Sequence, residues 1–161
     1  MQIRHEGASS RFLTRLWREG RDDLDCVVEG FIDPEGGWPL RCCLRDSSPG
    51  DTLVIAAHSP YPDDWTDTAY REIGPVVVHA SRCAGHDGSF PSQFEGRRQI
   101  VRGYGRGDQG SQSQVYDCHE LVDADGDLRA AIERALSDPR VDFAQVRNVL
   151  SGCWSFTSRA T

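Results

Sequence analysis

The run GPVVVHASRC, residues 74–83, ends in two side chains that can do chemistry: the imidazole of His79 and the thiol of Cys83. An imidazole gains and loses a proton close to neutral pH, which suits a general acid or base. It also lowers the pKa of a nearby thiol and so creates a nucleophile. The same pair binds metal ions, since thiolate sulfur and ring nitrogen are ordinary zinc ligands. Against these readings stands the plain one, a strand with a half-buried histidine and a cysteine serving as a small hydrophobe. A second thiol, Cys153 in LSGCW, directly follows Gly152. A turn there would expose it as a nucleophile must be exposed.

Groups suited to holding an anion flank these positions. Tyr70 and Arg71 precede the valine run, Arg102 and Tyr104 lie in RRQIVRGYG, and Arg147 and Asn148 lie in VDFAQVRNV. Arginine forks grip carboxylate and phosphate with two parallel hydrogen bonds. Tyrosine hydroxyls and asparagine amides supply orientation. On the plain reading these arginines pair with some of the 25 acids in the chain.

Several familiar chemistries lack their residues. All 18 basic residues are arginine, so there is no lysine for a Schiff base or a Walker A loop. Arginine codons are GC-rich, and a GC-rich genome accounts for this bias without a functional cause. No G-x-S-x-G elbow and no H-E-x-x-H pair occurs. Gly105, Gly107 and Gly110 spell G-x-G-x-x-G, but a strand-like SQSQVYD follows where a dinucleotide site needs a helix. A hairpin loop explains these glycines, and no nucleotide cofactor is expected. The Arg106–Asp108 tripeptide RGD inside it has no context that gives it meaning. Asp123, Asp125 and Asp127 resemble the start of a calcium loop, yet Leu128 stands where the sixth-position glycine belongs. An acidic turn and a helix cap are the simpler account. Among six cysteines no pair has C-x-x-C spacing. That ranks a metal site built on His79, Cys83 and a distant residue below the alternatives.

The whole chain bounds the answer further. A length of 161 residues fits one domain with a real core. A net charge of −7 argues against nucleic acid as a partner. No apolar run could span a bilayer, and the first twenty residues lack a signal-peptide core. The expectation is a cytoplasmic protein with reduced thiols and no membrane partner.

The elements that must position these groups follow from periodicity and punctuation. RFLTRLWREG, residues 11–20, reads as an amphipathic helix closed by Gly20. DCVVEGFID, PLRCCLRD, DTLVIAAHS and GPVVVHAS read as strands separated by Gly/Pro/Ser turns. RRQIVRGYG, SQVYDCHELV, VDFAQVRNV and GCWSFTSR continue the series. A second helix over 127–137 has Asp127 as N-cap, Leu128, Ile132 and Leu136 on one face, and Asp138-Pro139 as its stop. About eight short strands that mostly follow one another without helices predict α+β, a single domain with a largely antiparallel sheet and two helices.

This order of segments resembles a bacterial family known only as domain of unknown function 1203. The matching pieces are PLRCCLRDSSPGD, AYREIGPVVVHASRC, FPSQFEGRRQIVRGY and DPRVDFAQVRNVLSGCWSFTSR, from about Gly37 to the C-terminus. The family's Tyr, Gly-Pro, His and Cys fall on Tyr70, Gly74-Pro75, His79 and Cys83. Its Arg-Gly-Tyr falls on Arg102–Tyr104, and its closing Arg, Asn/Ser and Cys on Arg147, Asn148 and Cys153. Its Gly-aromatic-Pro-Cys-Arg stretch is met by Gly37–Arg41 with Leu40 in place of the thiol, although Cys42 lies two residues on. The loop over 103–114 is longer than the family pattern, as in a specialised relative acting in a biosynthetic pathway.

Together these observations favour a small enzyme acting on an anionic or carboxylate-bearing small molecule. In that reading His79 is the acid–base group and Arg71, Arg102, Arg147, Tyr70, Tyr104 and Asn148 hold the substrate. Cys83 or Cys153 assists as a nucleophile, no cofactor is needed, and a lyase, cyclase or isomerase step suffices. The alternatives are a non-catalytic small-molecule or partner-binding module, and a metal-binding protein using His79 and Cys83. The oligomeric state stays open.

Overall fold

The computed structural model of the chain describes every residue except Asp67, Asp108 and Gln109. The fold is α+β, and the described residues form two α-helices and eight strands. The strands form two antiparallel sheets rather than one. The larger has the order β1 (Ile3–Glu6), β8 (Trp154–Ala160), β7 (Val141–Asn148), β5 (Gln99–Arg106), β6 (Gln112–Val122). The smaller has the order β2 (Gly30–Ile32), β3 (Thr52–His58), β4 (Gly74–His79).

Each sheet buries one helix. Helix α1 (Ser10–Glu19) is capped by Ser9, whose hydroxyl accepts from Phe12 N, and ends at Gly20 in the left-handed conformation. Its Phe12, Leu13 and Leu16 pack on Leu53, Val54 and Ala56 of β3 and on the three valines of β4. Helix α2 (Leu128–Ser137) has Asp127 as its cap, accepting from Ala130 N at 2.9 Å. Leu128, Ile132 and Leu136 pack on Val101, Val122, Val146 and Phe156 of the larger sheet. The acidic turn before α2 is thus a cap, with Asp123 paired to Arg98 at 2.9 Å.

Two segments depart from expectation. PLRCCLRD, expected as a strand, is a tight turn closed by an isolated bridge between Pro39 and Asp46 and by Leu40 N donating to Arg45 O at 2.9 Å. Leu44 takes φ 53°, which an alternating strand cannot contain. In return β1, which carries little apolar signal, forms by pairing with β8. The G-x-G-x-x-G glycines sit at the β5–β6 hairpin, as expected. Gly105 also answers a packing demand: a Cβ there would lie 1.7 Å from Arg140 O. Of the RGD tripeptide, Asp108 lies outside the described residues. Among the described residues no helix is long and apolar enough to cross a membrane.

Candidate metal centre

The turn at 40–45 and the end of β4 meet. Arg41 N donates to Val77 O at 2.8 Å, which lays the turn alongside the strand. Gly7 makes room from the other side, since a Cβ there would strike Arg41 O at 2.4 Å. Arg41 is buried and donates its Nε to Trp154 O at 2.9 Å and an Nη to Pro39 O, which pins the turn to β8. Burial lowers its pKa to about 10, so it stays protonated at neutral pH.

This folding gathers four soft ligands. The sulfurs of Cys42, Cys43 and Cys83 and a ring nitrogen of His79 lie within 4.8 Å of one another. His79 Nδ1 is 3.4 Å from Cys42 Sγ, and the backbone N–H of His79 donates to the same sulfur at 3.4 Å. On its far edge His79 Nε2 faces Asp51 Oδ2 at 3.4 Å. Asp51 also accepts from Ser48 N at 2.8 Å. A ring that gives Nε2–H to a carboxylate presents a bare Nδ1 to the sulfurs, as in carboxylate–histidine–metal arrangements. The Trp17 indole donates to His79 O at 2.9 Å and holds the strand end against α1.

The thiols share their protons unequally. The hydrogen bond from Cys42 pulls Cys43 down to about 5 against its burial, helped by Arg45 and by His79. Cys42 is pushed up by that same bond and by burial. Of the two, Cys43 is the thiol whose ionisation its surroundings favour.

Other residues expected at the site lie elsewhere. Arg102 and Arg147 both approach Glu72, at 3.8 and 2.7 Å. Arg147 is buried and also donates to Gln145, Gly152 O and Tyr61 OH, so its fork is occupied. Together with Cys153 it lines a cavity of about 270 Å³ beside the start of β4. That is the opposite end of β4 from His79. Tyr104 is wholly buried and stacked on Phe143 at 5.1 Å, a core residue rather than a ligand group. Tyr70 meets Tyr116 edge-on at 6.4 Å, and the hydrogen bond between the two lowers the Tyr70 pKa. Arg71 ties down its own loop by donating to Ser59 and to Trp65 O. Asn148 accepts from Leu150 N and Ser151 N at 3.0 Å and closes the turn that carries Cys153. His79 and Cys83 do come together, but with Cys42 and Cys43 rather than with the arginines.

Two features escaped the sequence reading. Cys42 and Cys43 looked like strand residues, and their adjacency was the only cue. Buried His58 pairs with half-buried Asp23, His58 Nδ1 bonding Asp23 Oδ2 at 2.9 Å, and 35 residues separate them.

An α+β fold of two antiparallel sheets with a three-thiol, one-imidazole cluster at the end of β4 defines the class. The model of a family described as a protein of unknown function (DUF1203) matches residues 37–159, and the chain belongs to that family. No curated protein and no solved structure matches the chain.

Proposed function

We propose that this protein binds one zinc ion through Cys42, Cys43, His79 and Cys83. The observation that carries the reading is the mutual approach of those four ligand atoms to within 4.8 Å. A tetrahedral ion with zinc–sulfur bonds of about 2.3 Å sets its ligands about 3.8 Å apart, so side-chain movements of about an ångström close the shell. Clusters of two or more irons need their ligands spread more widely than this. Three thiolates and one imidazole is a recurrent donor set for structural zinc. Asp51 behind His79 supplies the carboxylate that fixes a ligating ring. The hydrogen bonds from His79 N and from Arg45 offset the negative charge that three thiolates leave after binding Zn²⁺.

Four protein ligands leave no position for substrate, which makes the centre structural. It joins the turn at 39–46 to the end of β4. His79 and Cys83 then act as ligands, not as acid–base group and nucleophile.

The test is elemental analysis of the untagged protein, with cobalt substitution as a second readout. About one zinc per chain is expected, together with the intense visible bands of tetrahedral thiolate-bound Co²⁺. Cys43→Ser and Cys83→Ser should each lose the metal. Protein that carries no metal and gives no cobalt bands overturns the proposal.

A further inference from the structure

We propose that the cavity of about 570 Å³ between the start of α1 and the end of β3 is a proton-transfer site for a small carboxylate- or phosphate-bearing molecule, with His58 as its acid–base residue. This inference does not rest on the zinc reading: neither Asp23 nor His58 belongs to the thiol cluster, although Cys42 of that cluster also lines the cavity.

The dyad is built like a working one. His58 is 3% exposed, and its Nδ1 bonds Asp23 Oδ2 at 2.9 Å. The same carboxylate oxygen accepts from Ser59 N at 2.8 Å. Burial opposes ionisation of Asp23, but the bonds from His58 and Ser59 outweigh it and hold the carboxyl below its usual range. A carboxylate facing Nδ1 fixes the proton there and leaves the Nε2 lone pair on the opposite edge. Nε2 makes no hydrogen bond among the described residues, although the ring is buried and lines the cavity. An acceptor nitrogen left free on the ring at a cavity wall is available to a ligand that enters it.

The dyad is also held rigidly. Phe12 packs on the imidazole at 4.2 Å and Trp154 at 5.6 Å. Asp23 N donates to Ala57 O at 3.0 Å, and the neighbouring Asp22 carboxylate accepts from Ala57 N at 3.0 Å. The loop that carries Asp23 is thus stitched to the strand that carries His58.

The charge around the cavity selects the ligand. Phe12 lies in the first turn of α1, so the imidazole adjoins the helix N-terminus, where the N–H groups of Ser10 and Arg11 make no hydrogen bond among the described residues. The first turn contains no acid. The two carboxylates that line the cavity are already matched, Glu6 with Arg159 at 3.1 Å and Asp63 with Arg11 at 3.5 Å. Arg4 lines the same cavity with no carboxylate partner among the described residues. A helix N-terminus beside an unmatched guanidinium attracts an oxyanion. With that group docked, Nε2 takes a proton from an O–H or C–H of the ligand. The bonding pair stays on the ligand, and the imidazolium is stabilised by Asp23. The proton then returns to the same or another atom of the ligand, so no co-reactant is consumed.

The test uses the full-length protein as purified, labelled with ¹⁵N-histidine. It is titrated at constant ionic strength with inorganic phosphate in one arm and acetate in the other, which tells the two oxyanions apart. Long-range ¹H–¹⁵N spectra should show the neutral ring of His58 protonated at Nδ1 and bare at Nε2, and Asp23→Asn should change that balance. At least one probe should shift the His58 signals saturably. Arg4→Ala, at an exposed position, should weaken that binding about tenfold, the loss of one charge-assisted contact. A ring protonated at Nε2 overturns the proposal. So does the absence of a saturable response to either probe, or binding that Arg4→Ala leaves unchanged.

Discussion

Replacing Asp51 with asparagine separates the orientation of His79 from its ligation. Asp51 is 31% exposed, and its Oδ2 serves both His79 Nε2 at 3.4 Å and Ser48 N at 2.8 Å. An asparagine oxygen can still accept from Ser48, so the turn keeps its shape and the lost feature is the charge behind the ring. Removing the outer partner of a ligating histidine costs roughly 10- to 100-fold in metal affinity. The long contact and partial exposure place Asp51→Asn at the weak end, about tenfold or about 1.4 kcal/mol. Competition against a chromophoric chelator measures this directly. The cobalt spectrum of the variant should keep its wild-type shape, because all four ligands remain. Affinity equal to wild type would refute the view that Asp51 sets the His79 tautomer. Loss of the tetrahedral spectrum would make Asp51 a ligand instead.

Three further outcomes follow from other parts of the molecule. Chelation should raise the number of thiols that react with an aromatic disulfide, with Cys83 and the lowered Cys43 gaining reactivity ahead of Cys42, while exposed Cys26 reacts throughout; an unchanged count would speak against metal. His5 is buried against Phe90 and Phe156, and burial, with His86 and Arg129, lowers its pKa from 6.5 to about 4. Between those values the unfolded chain holds a proton that the folded chain does not, so the His5 contribution to stability is full above pH 6.5 and falls as the pH drops towards 4. The loss reaches about 3 kcal/mol. The lowered carboxyls Asp23, Asp33, Asp87 and Asp138 contribute only below their ordinary value of 3.8, outside this window. Urea unfolding of metal-free protein should show this slope, and His5→Phe should reduce it; an equal slope in the variant would assign it to His119, the other histidine lowered by burial, and to the lowered Cys43 thiol. Gly105→Ala forces a methyl against Arg140 O and should cost at least about 2 kcal/mol, lowering the urea midpoint without changing the slope. A neutral result would mean that β5 and β7 tolerate separation at that point.

How far the sequence could be read depended on whether a feature was local. Helix α2 was legible because its cap, its apolar face and its stop all lie within a dozen residues. The strand ending in His79 was legible for the same reason. PLRCCLRD misled because Leu40, Cys42 and Leu44 alternate with Arg41, Cys43 and Arg45, close to the period of a strand. The left-handed Leu44 breaks that period, and no residue type announces it. Strand β1 was invisible because its pairing with β8 spans almost the whole chain. The thiol cluster was half legible: His79 and Cys83 share one segment, whereas Cys42 and Cys43 join them through a contact set by the turn. The arginines were over-read, because guanidinium chemistry is visible in sequence and the carboxylate that already satisfies it is not. Glu72 lies 75 residues from Arg147 along the chain, and only the fold brings them to 2.7 Å.

The antiparallel pairing of β3 and β4 puts His79 and His58 at opposite ends of one sheet, while Cys42 of the cluster also lines the dyad's cavity, so the coupling of the two sites is a matter for experiment. His79 stands opposite Leu53, and His58 stands opposite Gly74, so the thiol cluster and the dyad occupy opposite ends of one small sheet. The cluster end relies on the turn at 39–46 and on ligands drawn from two segments. The dyad end relies on Asp22 and Asp23, which bond directly to Ala57, His58 and Ser59. Removing the metal should therefore loosen one end only. Amide hydrogen exchange should accelerate at Arg41, whose N–H bonds Val77 O, and at Ala80, whose N–H bonds Thr52 O. The N–H groups of Ala57 and Ser59, held by the two aspartates, should keep their protection. Faster exchange at both ends would mean that the sheet opens as one unit, and that the metal stabilises the dyad through the strands rather than standing apart from it.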